Sequence, residues 1–340
     1  MSPSRLALAL ALSLSVAACD DDPTPAPTKS WQMIYEDLDP ALLSVWGSGS
    51  DDVFIAGADP KRGEGPWVLR WDGTTMTRLR TGHTGTLWWV SGTDATSPVY
   101  FAGEGGLALR YDRDAKTFTR LTGVSGGVTL FGIHPVPGGK VWAVGSMPSE
   151  NRGVAYTLDG TTFTEVADVP TDAASGNMFF KVWGRSESDL WIVGLGQKAL
   201  HKTASGWDVF PTPFEGRLFT VHGNATTTIA VGGFVNAVVV SLTAAGVADV
   251  TPEGAPQLNG VWVEPSGRVV AVGNTGAVWE RTGGDTWREL AVPETLLDYH
   301  GVWVAPDGDV WAVGGFVLSE PLRDGMLLHY GATMPTDLPE

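Results

Sequence analysis

Few residues in this chain are of a type and spacing that could do chemistry. The only thiol is Cys19, at the end of an apolar run near the N-terminus. With a single cysteine no disulfide can form within the chain, so the fold must hold by packing and hydrogen bonds. Two histidines, His134 and His222, occupy a repeat position that elsewhere holds Trp46, Trp183, Trp262 and Trp303. Imidazoles so placed could ligate a metal, but no cysteine or recurring aspartate accompanies them at ligand spacing. The simpler expectation is that they fill a slot between repeats and hydrogen-bond locally, and neither metal nor cofactor is expected. His300 lies shortly before the equivalent position and is expected at a turn or strand edge. Glycoside hydrolysis would need two carboxylates about 5–10 Å apart. With 38 acidic residues such pairs arise by chance, and the sequence singles out none, so no catalytic residue is assigned. No Gly-rich phosphate loop, nucleophile elbow or metalloprotease helix is present.

Residues around the thiol set the address. Met1–Arg5 carries one positive charge, Leu6–Val16 is apolar but too short to span a bilayer, and Val16-Ala17-Ala18 leads into Cys19. Small residues ahead of a lone cysteine resemble the lipobox of bacterial lipoproteins. That resemblance implies that residues 1–18 are a signal peptide, that the Cys19 thiol takes a diacylglycerol, and that the new amine is acylated. More than one acyl chain anchors stably. Residues 19–30 are then the lipidated cysteine and a tether, Asp20–Asp22 followed by Pro23-Thr-Pro25-Ala-Pro27-Thr28. Aspartate after such a cysteine resembles the inner-membrane retention signal of enteric bacteria, whereas acidic runs there also resemble surface-export signals. The expected location is therefore the bacterial cell envelope, outer membrane, cell surface or periplasm-facing, with the membrane and its side left open.

The charge balance is 22 basic against 38 acidic residues, a net of −16. No basic stripe offsets it, which argues against nucleic acid as a partner and leaves the lipid anchor as the expected contact with the membrane.

The elements that position everything else form a repeat. A short apolar run ending in glycine recurs as Val53–Gly57, Val99–Gly103, Val141–Gly145, Leu190–Gly194, Ile229–Gly232, Val269–Gly273 and Val310–Gly314. Successive glycines are 46, 42, 49, 38, 41 and 41 residues apart, the length of a four-stranded propeller blade. A second apolar segment precedes each run (Leu43–Trp46 or Phe180–Trp183, with Leu87–Ser91 the loosest copy), and another strand and a turn follow. β-Branched and aromatic residues bounded by Gly, Asp and Pro are strand and turn chemistry, and no convincing helical period appears after residue 22. The expected fold is all-β: a seven-bladed β-propeller of four-stranded blades over residues 31–333, with 334–340 as a C-terminal tail. The seventh copy lacks a fourth strand and the N-terminus carries a spare one. Residues 31–35 are therefore expected to pair with 326–330, closing the ring and removing open edges.

Extra length lies mostly between second and third strands, at Ala58–Pro66, Ser146–Arg152 and Phe316–Gly325. These segments share a face with the inter-blade connections such as Ala167–Asn177, and closure makes blades 7 and 1 neighbours. They carry the candidate ligand-face residues Lys61, Arg62, Glu64, Glu150, Asn151, Arg152, Glu320, Arg323 and Asp324. Mixed charge gathered there suits a protein or glycan partner.

Turns between third and fourth strands carry a resemblance to a superfamily. Gly283-Gly-Asp-Thr-Trp287 is similar to the end of an Asp-box, with weaker versions at Asp72-Gly-Thr-Thr-Met76, Asp159-Gly-Thr-Thr-Phe163 and Asp114-Ala-Lys-Thr-Phe118. Residues 31–330 thus resemble Asp-box-like propellers, among them sialidases and photosystem II assembly factors. Thr282 stands where the box would have its aspartate, and no Arg-Ile-Pro segment opens a sialidase arginine triad. Trp71-Asp72 and Trp207-Asp208 lack the Gly-His partner of WD40 repeats. The leading expectation is an anchored, non-enzymatic binding or scaffold module. A glycan hydrolase or lyase and an assembly factor for a membrane complex are the alternatives on the same scaffold.

Overall fold

Each apolar run ending in glycine forms the second strand of a four-stranded antiparallel sheet, and seven such sheets make a seven-bladed β-propeller. The computed structural model describes residues 28–332 apart from 172–177, 197, 213–215 and 285. Strand β1 (Ser30–Pro40) belongs to the last blade. Blade 1 is β2 (Leu42–Gly49), β3 (Asp52–Gly57), β4 (Val68–Trp71) and β5 (Met76–Leu79). Blade 2 is β6 (Leu87–Ser91), β7 (Val99–Gly103), β8 (Ala108–Asp112) and β9 (Thr117–Arg120). Blade 3 is β10 (Thr129–Pro135), β11 (Val141–Met147), β12 (Arg152–Asp159) and β13 (Thr162–Glu165). Blade 4 is β14 (Phe179–Ser186), β15 (Asp189–Gly194), β16 (Lys198–Thr203) and β17 (Gly206–Pro211). Blade 5 is β18 (Arg217–Gly223), β19 (Thr228–Gly233), β20 (Ala237–Thr243) and β21 (Gly246–Asp249). Blade 6 is β22 (Leu258–Val263), β23 (Val269–Gly273), β24 (Val278–Arg281) and β25 (Trp287–Glu289). Blade 7 is β26 (Asp298–Val304), β27 (Val310–Phe316) and β28 (Arg323–Gly331), completed by β1.

The recurring glycine has a steric cause. Opposite it the innermost strand of every blade bulges, with register slips such as Leu130/Gly132 in β10 and Leu218/Thr220 in β18. The bulge pushes a carbonyl towards the second strand. A Cβ on Gly103, Gly145, Gly194, Gly232, Gly273 or Gly314 would lie only 1.8–2.1 Å from that oxygen. Close backbone approach, rather than a positive φ, is what requires glycine here. Beyond the bulge each innermost strand presents a β-branched residue to the axis: Val45, Val90, Ile133, Val182, Val221, Val261 and Val302, none more than 4% exposed.

The aromatic core lies in the seams between blades. Trp46 packs over Gly92 of blade 2, Trp183 over Gly223 of blade 5 and Trp303 over Gly47 of blade 1, so close that a Cβ on any of those glycines would meet the indole within 2.4–2.7 Å. In these three seams a tryptophan in one blade thus requires a glycine in the next.

Closure follows the expected pairing, with Trp31 opposite Tyr330, Met33 opposite Leu328 and Tyr35 opposite Leu327. The closing strand is longer than residues 31–35, because two register shifts let it continue to Pro40, opposite Arg323. Two of the expected loops are correspondingly shorter. Strand β11 runs through Met147 and β12 begins at Arg152, leaving a 3-10 turn at Pro148–Glu150. In blade 7, Arg323 and Asp324 belong to β28, and the connection is 317–322.

Antiparallel succession gives the propeller two unlike faces. First-to-second and third-to-fourth strand turns lie on one, the turn face. Second-to-third loops and inter-blade connections lie on the other, the loop face. Residues 28–30 begin, and β28 ends, at the turn face, where Lys29 Nζ donates to Asp307 O at 2.6 Å and pairs with Asp309 at 2.7 Å.

Candidate functional site

On the turn face a cup of about 570 Å³ opens over the channel, lined by Trp46, His134, Trp183, His222, Trp262 and Trp303 with Ser48, Thr93, Glu264 and Ser266 at its rim. Below it a cavity of about 70 Å³ reaches the valine belt. The aromatic side chains are committed to the seams. His134 Nε2 meets Gly184 O at 2.9 Å, and His222 Nδ1 accepts the Val263 N–H at 2.9 Å while its ring stacks on Trp262 at 3.8 Å. Burial pulls the two imidazoles down to pKa values of about 4 and about 3, so both are neutral. They bridge blades, as their position in the repeat suggested. Among the described residues no three His, Cys, Asp or Glu side chains gather as a metal site. His300 lies on β26, the inner edge strand of its sheet, so of the two expected places it takes the strand edge and not the turn, with its ring at the other end of the channel and Nδ1 2.5 Å from Leu43 O.

On the loop face the structure brings part of the expected charge cluster together. Lys61 of blade 1 and Glu320 of blade 7 pair at 3.3 Å, so the two longest second-to-third-strand loops touch across the closure seam. Arg62 pairs with Asp39 at 3.0 Å, and Glu64 takes Arg78 and Arg80, each at 3.0 Å. Those two guanidinium groups hold the Glu64 carboxyl below its usual range. Arg323 contacts its neighbour Asp324 and lies over the Phe316 ring at 4.4 Å. The blade 3 group stands apart: Arg152 bridges Glu150 at 2.6 Å and Glu165 at 2.5 Å, beside Asn151 in a left-handed conformation. Most of these charges are therefore satisfied locally, in exposed pairs that contribute little to stability. Cys19 and residues 172–177 lie outside the described residues, as does Asp285 of the Asp-box-like turn. Asp72 shows what such a turn does: its carboxylate accepts the N–H groups of Thr74 and Thr75 at 3.0 and 2.8 Å.

Sequence reading missed the apolar part of the loop face. Among the described residues five large hydrophobic side chains are exposed: Val209, Phe234, Val235, Leu296 and Leu318. Four of them are on loop-face segments, with Phe234 and Val235 between β19 and β20, Leu296 between β25 and β26, and Leu318 between β27 and β28. They span three consecutive blades, 5 to 7. Arg217 lies over the rings of both Phe234, at 5.4 Å, and Phe219, at 5.8 Å, tying the patch to the channel end. Beside Leu296 a shallow groove of about 940 Å³ runs between Thr275–Ala277 and Glu289–Leu296. The available signal was an apolar pair inside turn chemistry, Gly232-Gly-Phe-Val-Asn236.

Comparison with known proteins adds architecture. No protein-family model matches the chain, and no curated protein matches it. Among solved structures, virginiamycin B lyase from Staphylococcus aureus in complex with quinupristin superposes with a TM-score of 0.69 at 14% identity, covering 89% of this chain and 99% of that one. The WD40 β-propeller domain of Doa1 gives 0.66 at 13% identity, covering 89% and 97%. The extracellular domain of a hybrid two component system from B. thetaiotaomicron gives 0.63 at 11% identity, covering 88% of this chain and 39% of that one. These likenesses show the fold alone. The same scaffold carries a lyase in one neighbour and a WD40 repeat domain in another, so function has to be argued from this chain's own surfaces.

Proposed function

We propose that this chain is an envelope lipoprotein whose propeller is a non-enzymatic docking module, and that it binds a protein partner on the loop face. The observation that carries the reading is the concentration of exposed apolar side chains, Phe234 70%, Val235 71%, Leu296 91% and Leu318 77%, on one face of an otherwise polar, acidic molecule. Several large exposed hydrophobics on one face, with charged loops beside them, suit an interaction surface, and aliphatic Leu and Val suit a protein surface better than a glycan. The long charged loops of blades 7 and 1 supply the polar rim.

Anchoring and binding fit one arrangement. Lys29 is held against the first turn of blade 7 on the turn face, so a tether from Cys19 enters there. The intervening ten or so residues can reach about 35 Å when extended. A lipid-anchored propeller of this kind turns the loop face away from its own membrane, towards a partner. Replacing the thiol, Cys19→Ala, is expected to move the protein from the membrane pellet to the soluble fraction with its melting temperature unchanged. Continued pelleting would remove the anchor from the account.

The docking reading is tested by Phe234→Glu with Leu318→Glu. Both side chains are exposed, so stability should stay within about 0.5 kcal/mol, while affinity for the partner captured by cross-linking in the producing cells falls at least tenfold, about 1.4 kcal/mol. Unchanged capture by the doubly substituted protein would sink the reading. Loop shortening is the worse test, because Arg323 and Asp324 are strand residues whose removal disturbs closure.

A further inference from the structure

Lys181 is the one buried lysine among the described residues, only 5% exposed. It stands on β14 just past the bulge, and its ammonium donates to Phe131 O at 2.8 Å and lies 4.2 Å from the centre of the Trp89 ring. Phe131 O is its one hydrogen-bond acceptor among the described residues, the Trp89 ring meeting the ammonium by its face. The charged and titratable groups on strands packed against β14 are His134 on β10, Arg152, Tyr156 and Asp159 on β12, Asp189 on β15, and Arg217 and His222 on β18. None of them acts on Lys181. Asp189 is engaged by Arg185 at 2.6 Å and His201 at 2.8 Å, and Arg152 by Glu150 and Glu165. Burial alone draws the Lys181 pKa down to about 7. The group close enough to feel it is His300, whose own protonation Lys181 opposes.

A second unmatched donor lies beside it. Trp88 packs edge-on to Phe131 at 5.6 Å and against His300 at 5.9 Å, at the loop-face end of the channel. Its indole Nε1–H is buried without a hydrogen-bond partner among the described residues. Two donors, one cationic, thus border Phe131, Lys181 at its carbonyl and Trp88 at its ring, and both neighbour His300, with no carboxylate among the described residues to match them. A buried ammonium without a counter-charge is costly and is ordinarily paired. A buried indole N–H likewise ordinarily has an acceptor.

We infer that the loop-face end of the channel is a carboxylate-binding site, with the Lys181 ammonium and the Trp88 indole N–H as its two donors. A monoanion with two acceptor oxygens matches one charge and one neutral donor, whereas a phosphate dianion would call for a second cation that the site lacks. The carboxylate comes either from a small free acid or from an acidic side chain or C-terminus of a protein lying on the loop face. The site stands whether or not the apolar patch takes a protein.

The test is the pH profile of Lys181 acylation in the full-length protein, read by mass spectrometry with and without acetate, and again with a short peptide ending in a free carboxylate. A bound carboxylate favours the ammonium, so the apparent pKa should rise by a unit or more. A rise with acetate assigns the site to small acids, and a rise with the peptide alone assigns it to a partner's carboxylate. An unchanged profile with both overturns the inference. Acetate-induced tryptophan fluorescence change should vanish in Lys181→Met and weaken severalfold in Trp88→Phe; where Lys181→Met does not fold, Trp88→Phe carries the test. Retention of the full response in these variants would equally overturn it. Phe234→Glu with Leu318→Glu should leave the acetate response intact, which separates failure of this site from failure of the docking face.

Discussion

Lowering the pH from 7 to 5 is expected to destabilise the propeller by several kcal/mol, well before its carboxylates titrate. Four histidines drive this: His134, His300 and His329 with pKa values lowered to about 4, and His222 to about 3, burial being the leading cause in each case. An unfolded histidine titrates near 6.5, so below that pH the unfolded chain binds protons that the folded one refuses. The contribution is fully present above about 6.5, is lost as pH falls, and levels off below the folded values. Between pH 7 and 5 each such imidazole costs about 1–2 kcal/mol. His222 has the most direct structural penalty, since its Nδ1 lone pair accepts the Val263 N–H and protonation there abolishes the bond. Thermal melts across this range check the expectation. His222→Phe should reduce the acid sensitivity while lowering stability at pH 7 by about 1 kcal/mol for the lost acceptor. Equal melting temperatures at pH 7 and 5 would show that the rings are hydrated and not sealed in the seams.

The second large effect is expected from one methyl group. Gly145→Ala puts a Cβ 2.0 Å from the Thr129 carbonyl oxygen and 2.9 Å from the Leu130 Cα. Neither atom belongs to a flexible side chain, so two paired strands have to move apart. A loss of about 2–4 kcal/mol follows, measurable by denaturant unfolding. Gly126→Ala is the control: the nearest atom to its added Cβ is 4.0 Å away, and a change within about 0.5 kcal/mol is expected. Similar stabilities for the two variants would mean that the glycine repeat marks ancestry rather than steric need.

That repeat explains how much of the fold the sequence disclosed. The bulge that demands glycine recurs in every blade, so the same residue reappears at blade intervals and yields the count, the strand order and the closure between Trp31 and Tyr330. The bulge itself leaves no residue type of its own: the positions after it hold Ser44, Trp89, Gly132, Lys181, Thr220, Gly260 and Gly301. Lys181 was hidden for that reason, because nothing in a single strand tells that its ammonium reaches Phe131 O of blade 3 and the Trp89 ring of blade 2. Loop limits were overestimated at Arg152, Arg323 and Asp324, where charged side chains look like loop residues but occupy the first positions of a strand. Phe234, Val235, Leu296 and Leu318 went unseen because apolar residues scattered among turns read as ordinary, and only the three-dimensional ring places them on one face.

The central claim is that the loop face meets the partner and the turn face does not. A photo-crosslinking amino acid placed at Leu318 or Phe234, and separately at Ser266 in the turn-face cup, tests it in the cells that make the protein. The account predicts a discrete cross-linked species from Leu318 and Phe234 and none from Ser266. A cross-linked partner from Ser266 with nothing from Leu318 or Phe234 would contradict it and move the site to the Trp- and His-lined cup.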